Sequence, residues 1–336
     1  MDVDLFAGPG GLDRGAESLA ASVPTMGIEW SADACETRRA AGLPTIHGDV
    51  RKYGPGDFPT ARRLFGGPPC QTFSAAGSGA GRRELDTVLG LLKRMSARES
   101  IAADLARLDD ERTGLVLEPM RWALEAADAG RPFDVIVLEQ VPQVLPVWHG
   151  YTEALATEGY SVATGILRAE EFGVPQTRRR AVLIARRDGR AVLPAPTHRP
   201  YIKGMPQDAD DSALFPGLAP WVAMDDVLDR PGPFTVVSNY GTGGDPKDRG
   251  RRTSREPSAT VTGKISRSRV VGPGGEELPR FTMAEAGVLQ SFPADYPWSG
   301  RDISQQIGNA VPPLLAAHIL SAATGIPLSA GAALAA

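Results

Sequence analysis

Apolar residues in the first half of the chain fall into short runs separated by stretches with helical spacing. Residues 3–6 form one such run, which ends in Ala7-Gly8-Pro9-Gly10-Gly11. Leu12, Ala16 and Leu19 then recur on a single helical face. Residues 26–30 predict a second strand, 32–41 a helix, 45–49 a third strand and 62–65 a fourth. The run Phe-Asp-Val-Ile-Val-Leu at 133–138 predicts the strongest strand, and 160–167 and 181–185 predict two more. Strands alternating with helices in this way predict an α/β domain with a largely parallel sheet.

The pattern changes after about residue 187. Proline and glycine become frequent and periodicity fades until residue 282. The expected organisation is an α/β domain over 1–187, a smaller irregular domain over 188–281, and a return to the first domain over 282–328. Residues 282–289 and 312–323 read as helices, and 329–336 as a tail of small residues. Within the first domain, Leu85, Val88, Leu89, Leu92 and Met95, then Ile101, Leu105 and Leu108, recur at helical spacing. This insertion, about residues 82–110, is expected to form a helical hairpin or lid projecting beside Cys70, with a plain packing helix as the alternative.

Composition adds bounds. The chain has 336 residues, 42% hydrophobic and 23% charged, as in ordinary soluble proteins, and its length favours about two domains. No apolar run approaches the roughly 18 residues of a membrane span, and no basic segment precedes an apolar one at the N-terminus. Two cysteines suit a reducing compartment, so a cytoplasmic location is expected. The net charge of −4 argues mildly against a nucleic-acid partner, but its distribution does not. Residues 247–269 hold eight basic and two acidic side chains, a local +6 that leaves about −10 elsewhere. The alternative for this stripe is a solvated loop face.

The candidate chemistry lies at the ends of the predicted strands. Cys70 follows Gly66-Gly67-Pro68-Pro69 and precedes a Ser/Ala/Gly-rich loop, a setting that suits a nucleophile on a rigid strand end. The strand–glycine turn–helix arrangement at 3–19 suits the charged end of a cofactor. As a dinucleotide fingerprint it is poor, because Asp13 stands where the third glycine belongs. Glu29, about 20 residues on, is placed for ribose hydroxyls, and Asp49 for an adenine amino group. Glu139 ends the strongest strand, where shielding from water would raise its pKa and make it a proton donor. Gln176-Thr177-Arg178-Arg179-Arg180 supplies cations to partner it. A helix cap, a surface charge or a solvated turn is the bland reading of each feature taken singly.

Taken together, the motifs resemble the C5-cytosine DNA methyltransferase family across nearly the whole chain and in the family's order. They are Phe6-Ala7-Gly8-Pro9-Gly10-Gly11, Glu29-Trp30, Asp49, Gly67-Pro68-Pro69-Cys70-Gln71, Arg112-Thr113-Gly114-Leu115 and Glu139-Gln140-Val141. Gln176-x-Arg178-x-Arg180, Gln290-Ser291-Phe292-Pro293 and Gln306-Ile307-Gly308-Asn309-Ala310-Val311-Pro312 complete the series. The resemblance implies a Rossmann-like domain with a mostly parallel doubly wound sheet and a smaller target-recognition domain. It implies S-adenosylmethionine as methyl donor, no metal, and duplex DNA as partner. Cys70 would attack carbon 6 of a flipped-out cytosine, with Glu139 at N3, Arg180 at O2 and Arg178 supporting the glutamate and loop. The implied cofactor contacts are Phe6, Ala7, Gly8, Gly10, Gly11, Leu12, Glu29, Trp30, Asp49, Val50, Pro69, Leu115, Asn309, Ala310 and Val311. The implied DNA contacts are Gln71, Ser74, Arg249, Arg251, Arg252, Arg255 and Lys264. A monomer is expected, with a cognate restriction endonuclease as a candidate partner.

Two features depart from the family pattern. Gln140 stands where asparagine is commoner, which puts loop anchoring in doubt, and the segment after Cys70 is longer than usual. Two alternatives remain open, a transfer-RNA cytosine methyltransferase and a catalytically silent DNA-binding relative. A NAD-dependent oxidoreductase lacks its third glycine. An amino-methylating enzyme would need an Asp/Asn-Pro-Pro-aromatic motif that the chain does not have.

Overall fold

The computed structural model describes residues 1–69, 79–209, 213–238 and 250–330, with backbone alone for 79–83. In chain order the first half comprises β1 (Asp2–Leu5), α1 (Gly11–Glu17), β2 (Thr25–Glu29), α2 (Ala32–Ala40), β3 (Thr45–His47), β4 (Arg63–Gly66), α3 (Gly79–Ser96) and α4 (Ala102–Leu105). It continues through α5 (Glu118–Asp128), β5 (Val135–Gln140), α6 (Leu145–Thr157), β6 (Ser161–Arg168), β7 (Gln176–Thr177) and β8 (Arg179–Arg186). Then come α7 (Met224–Val227), β9 (Thr235–Val237), β10 (Arg251–Thr253), β11 (Ser258–Ala259), β12 (Arg269–Val271), β13 (Glu277–Leu278), α8 (Met283–Leu289), α9 (Ile303–Asn309) and α10 (Pro313–Thr324).

The main sheet has seven strands in the order β3-β2-β1-β4-β5-β8-β6. β1 to β5 pair in parallel, while β8 runs antiparallel to both β5 and β6. This is the mostly parallel α/β sheet that the alternating pattern predicts. Strand periodicity sorts its side chains into two layers. Leu64, Ile136, Leu138 and Leu183 pack with Met120, Trp122, Trp148 and Tyr151 on one face. Phe65, Val135, Val137, Val182 and Ile184 pack with Leu12 of α1 and with Leu315, Ile319 and Leu320 of α10 on the other. Buried on both faces, these strands read as continuous apolar runs. The 303–324 stretch is apolar enough to span a membrane by composition, but Pro312 and Pro313 break it into two helices and α10 is a core helix of this sheet.

The recognition part has real β structure where no periodicity announces it. Strands β10-β9-β12-β13 form a four-stranded antiparallel sheet, and β11 pairs with β7. With two or three residues per strand, they are too short to show alternation. Phe234, Val236, Val261 and Val270 pack with Leu289 of α8 and Ile307 of α9 in a separate core.

The insertion after Cys70 is the packing helix, not the projecting lid. Val88, Leu91 and Leu92 of α3 are buried in the main core, and Ile101 joins them. A Cβ on Gly150 of α6 would lie 2.8 Å from Leu92 Cδ2, so the two helices meet closely there. Leu105 of α4 packs against Gly114 in the same way, at 2.8 Å. The amphipathic spacing that predicts the helix exists because its apolar face has a core to join.

Candidate active site

A cavity of about 580 Å³ opens at the carboxyl ends of β1, β2, β4 and β5. Its floor is the glycine loop, whose path needs three left-handed residues within five positions: Phe6 (φ 61°), Gly8 (φ 52°) and Gly10 (φ 105°). Glycine takes this conformation freely, whereas Phe6 carries strain of about 1–3 kcal/mol. Glu29 holds the loop by accepting from Gly8 N at 2.8 Å, and its other oxygen accepts from Ser31 N at 2.6 Å. Below, the fully buried Arg38 donates to both oxygens of Asp13 (2.7 and 3.0 Å) and to the Ala7 carbonyl (3.3 Å). Asp13 therefore has a structural task at the place where a dinucleotide fold would have glycine. A Cβ on Gly11 would lie 2.0 Å from the Val311 carbonyl oxygen, so the late motif closes directly onto the loop.

Every predicted cofactor residue except Gly10 lines this cavity, together with Glu139 and Arg180. Gly10 and the buried Arg178 lie behind the wall. The Trp30 ring is 70% exposed at the rim, a flat apolar face beside the Glu29 carboxylate. Asp49 lies beyond the end of β3 rather than within it. Its carboxylate is gripped by Arg51 through backbone and guanidinium (2.6–3.0 Å), which holds it below the usual carboxylate range.

Glu139 is buried where β5 meets the cavity. Burial raises its pKa, against the opposing pull of Arg180 and then Arg178. Arg180 Nε lies 2.8 Å from Glu139 Oε1 without the alignment of a hydrogen bond. Arg178 is placed differently from expectation. Its guanidinium donates to the carbonyls of Val261, Gly308 and Ala310, each at 3.0 Å, so it acts on Glu139 only through space. It ties β7 to the recognition part and to the late motif. Gln176 and Gln290 do the same, with Gln176 donating to Leu289 O (2.8 Å) and Gln290 to Ala310 O (2.6 Å).

Gln140 resolves one departure from the family pattern. Its amide donates to the Pro68 carbonyl at 2.5 Å and accepts from Val141 N at 2.5 Å. The Gly67-Pro68-Pro69 segment is thus anchored to β5 two residues before Cys70. Cys70 itself, with Gln71, Ser74 and Arg249, lies outside the described residues; Pro69 stands on the cavity wall. Cys35 is free and buried, and burial, reinforced by Glu29, pushes its thiol up to about 11, as expected of an inert structural cysteine.

Sequence reasoning missed Asp4. It faces the cavity, is fully buried, and neither carboxylate oxygen has a hydrogen-bond partner among the described residues. Burial, then repulsion from Asp13, holds its carboxyl well above the usual range; Arg38 opposes and Glu29 adds to the rise. The available signal was an acidic residue inside the apolar run Val3-Asp4-Leu5-Phe6.

The basic stripe divides in two. Arg251, Arg255 and Lys264 are exposed, and Lys264 follows Gly263, which abuts Gln305 on the cavity wall. Arg252 is committed elsewhere: its guanidinium stacks 4.4 Å from the Tyr201 ring centroid and pairs with Glu256.

Residues 1–91 and 99–212 match the family model described as C-5 cytosine-specific DNA methylase. The chain belongs to this family. The match lapses only at 92–98 within that range, where α3 ends. Among relatives of this methylase, the Type II methyltransferase M1.HphI of Haemophilus parahaemolyticus is 30% identical, over 95% of this chain and 85% of that protein. M.NgoFVII of Neisseria gonorrhoeae is 28% identical, over 93% and 83%. The Dnmt2 methyltransferase of S. pombe superposes with a TM-score of 0.63 at 16% identity, covering 96% of this chain and 98% of that one. EhMeth of Entamoeba histolytica gives 0.61 at 12%, covering 96% and 97%. At these identities the two structures attest the methylase fold alone.

Proposed function

We propose that this methylase transfers a methyl group from S-adenosylmethionine to carbon 5 of a cytosine in duplex DNA. The observation that carries the reading is one shared cavity. The glycine loop, Glu29, Trp30, Pro69, Glu139 and Arg180 all line it, and Pro69 immediately precedes Cys70 in the chain. The residues fit the donor. Two acidic side chains, one with an orphaned buried carboxylate, suit a cationic ligand with a ribose diol, and the Trp30 face suits a purine.

Bound there, S-adenosylmethionine supplies an activated methyl group. The chain's residues do the rest. The Cys70 thiolate adds to carbon 6 of the cytosine, which raises electron density at carbon 5. Glu139, whose pKa burial raises, donates a proton to N3 as charge develops, an assistance worth roughly 10²- to 10⁴-fold. Arg180 contacts O2 and holds Glu139 in place. Carbon 5 takes the methyl group, with S-adenosylhomocysteine as the leaving group, and then loses its proton to a base or water; N3 returns its proton to Glu139 and the thiolate leaves as the ring recovers its double bond. The cytosine must leave the helix to reach Cys70, at a cost of a few kcal/mol. Arg251, Arg255 and Lys264 are the phosphate contacts. The homologous Type II enzymes favour a role in restriction–modification.

The test is labelled methyl transfer to duplex DNA and to transfer RNA, with Cys70→Ser as control. Label on DNA that depends on Cys70 supports the reading. Preferential label on transfer RNA overturns it.

A further inference from the structure

We propose that Tyr296 is a positioning residue for the glycine loop, whose geometry for the methyl donor it sets from outside the cavity. This rests on the reading of the cavity as the donor site. The loop adopts a path with three left-handed residues, one of them Phe6, and such a path persists only where its surroundings enforce it. Two side-chain restraints come from elements next to the loop, Glu29 on Gly8 N and Arg38 on the Ala7 carbonyl, beside the backbone bond from Ala7 N to Ile28 O. The third comes from 287 residues away. Tyr296 Oη donates to the Pro9 carbonyl at 2.5 Å, the only partner of that oxygen among the described residues.

The phenol is built into this place. Its ring packs against Phe292 and Trp298, with centroids 4.7 and 4.8 Å away, and the Arg14 guanidinium lies 5.4 Å above it. A Cβ on Gly10 would come within 3.1 Å of Tyr296 Oη, so the hydroxyl sits directly beneath the turn. Burial pushes the phenol up to about 12, so it stays a donor at neutral pH. Tyr296 is absent from the cavity wall, whereas Pro9 is on it. Its effect on a ligand therefore passes through the Pro9 backbone. Tyr296 packs with Phe292 and Ala310 and against Ala41 of the first domain, so the late segment of the chain braces the donor loop.

Tyr296→Phe removes the hydroxyl and keeps the ring. Calorimetric titration with S-adenosylhomocysteine and steady-state kinetics would compare it with the parent enzyme. We expect Kd and KM for the donor to rise about three- to tenfold, the effect of one buried hydrogen bond, with kcat and KM for DNA unchanged. Trp298→Phe disturbs the same aromatic cluster without touching the Pro9 bond, so it should lower Tm and leave donor affinity alone. Unchanged donor affinity in folded Tyr296→Phe would overturn the proposal, as would an equal loss in both variants. Failure of the parent enzyme to bind the nucleoside would overturn the donor-site reading, and the proposal with it.

Discussion

The two larger sheets among the described residues are stabilised in different ways. In the main sheet β5, β6 and β8 have 6, 8 and 8 residues, and the side chains of β5 and β8 fill apolar layers on both faces. In the recognition sheet no strand exceeds 3 residues, and one small apolar core is supplemented by arginines. Arg199 is buried 4.8 Å from the Trp221 ring, Arg252 stacks on Tyr201, and Arg230 lies over Phe234 and Phe281 while pairing with Glu285. Positive charge in this part is thus partly structural. A count of basic residues overstates how many are available to phosphates.

The largest expected effects lie at the carboxyl ends of the central strands of the main sheet. Glu139→Gln should lower kcat by about 10²-fold or more while donor affinity holds, measured by label transfer and titration. Cys70→Ser should abolish transfer altogether. Next come two deletions that separate the sheets. Leu183→Ala in β8 should cost about 2–5 kcal/mol in urea unfolding and weaken all binding with the folded fraction. Trp221→Ala should cost about as much locally, abolish DNA binding, and leave donor titration intact. Equal loss of both ligands in Trp221→Ala would show that the two parts are one cooperative unit.

Asp4 tests a buried charge in the main sheet. Its folded pKa is raised, so its contribution to stability is full at low pH and is lost as pH rises through that pKa. Affinity for a cationic donor moves the other way and rises as Asp4 ionises. Asp4→Asn should therefore stabilise the ligand-free protein at neutral pH, weaken donor binding about 10- to 100-fold, and flatten its pH dependence. The smallest effects belong to the recognition surface. Neutralising Arg251, Arg255 and Lys264 should lower the slope of DNA affinity against salt by up to about 2.7, whereas Arg252→Gln should leave the slope unchanged and lower Tm. A reduced slope in Arg252→Gln would return that residue to the phosphate contacts.

What could be read in the sequence follows the same division. The main sheet was legible because its central strands β1, β4, β5 and β8 are apolar and buried, and the motif residues fall at strand ends. The periodicity of α3 was legible too, but not its seat on α6, because amphipathic spacing fixes a face and not a partner. The recognition strands left no pattern at two or three residues each. Arg178 was read as a support for Glu139; its bonds run instead to carbonyls 83, 130 and 132 residues distant, which no local pattern encodes. Gln140 was visible as a departure, and only the Pro68 carbonyl beside it shows what the longer amide does.

The central claim is that one cavity joins a methyl donor to a cytosine held by Glu139 and attacked by Cys70. Bisulfite sequencing of duplex DNA incubated with the protein and S-adenosylmethionine tests it most directly. The account predicts protected cytosines at a single sequence motif, lost in Cys70→Ser. Unprotected DNA from folded protein that binds the donor, or protection that survives Cys70→Ser, would contradict it.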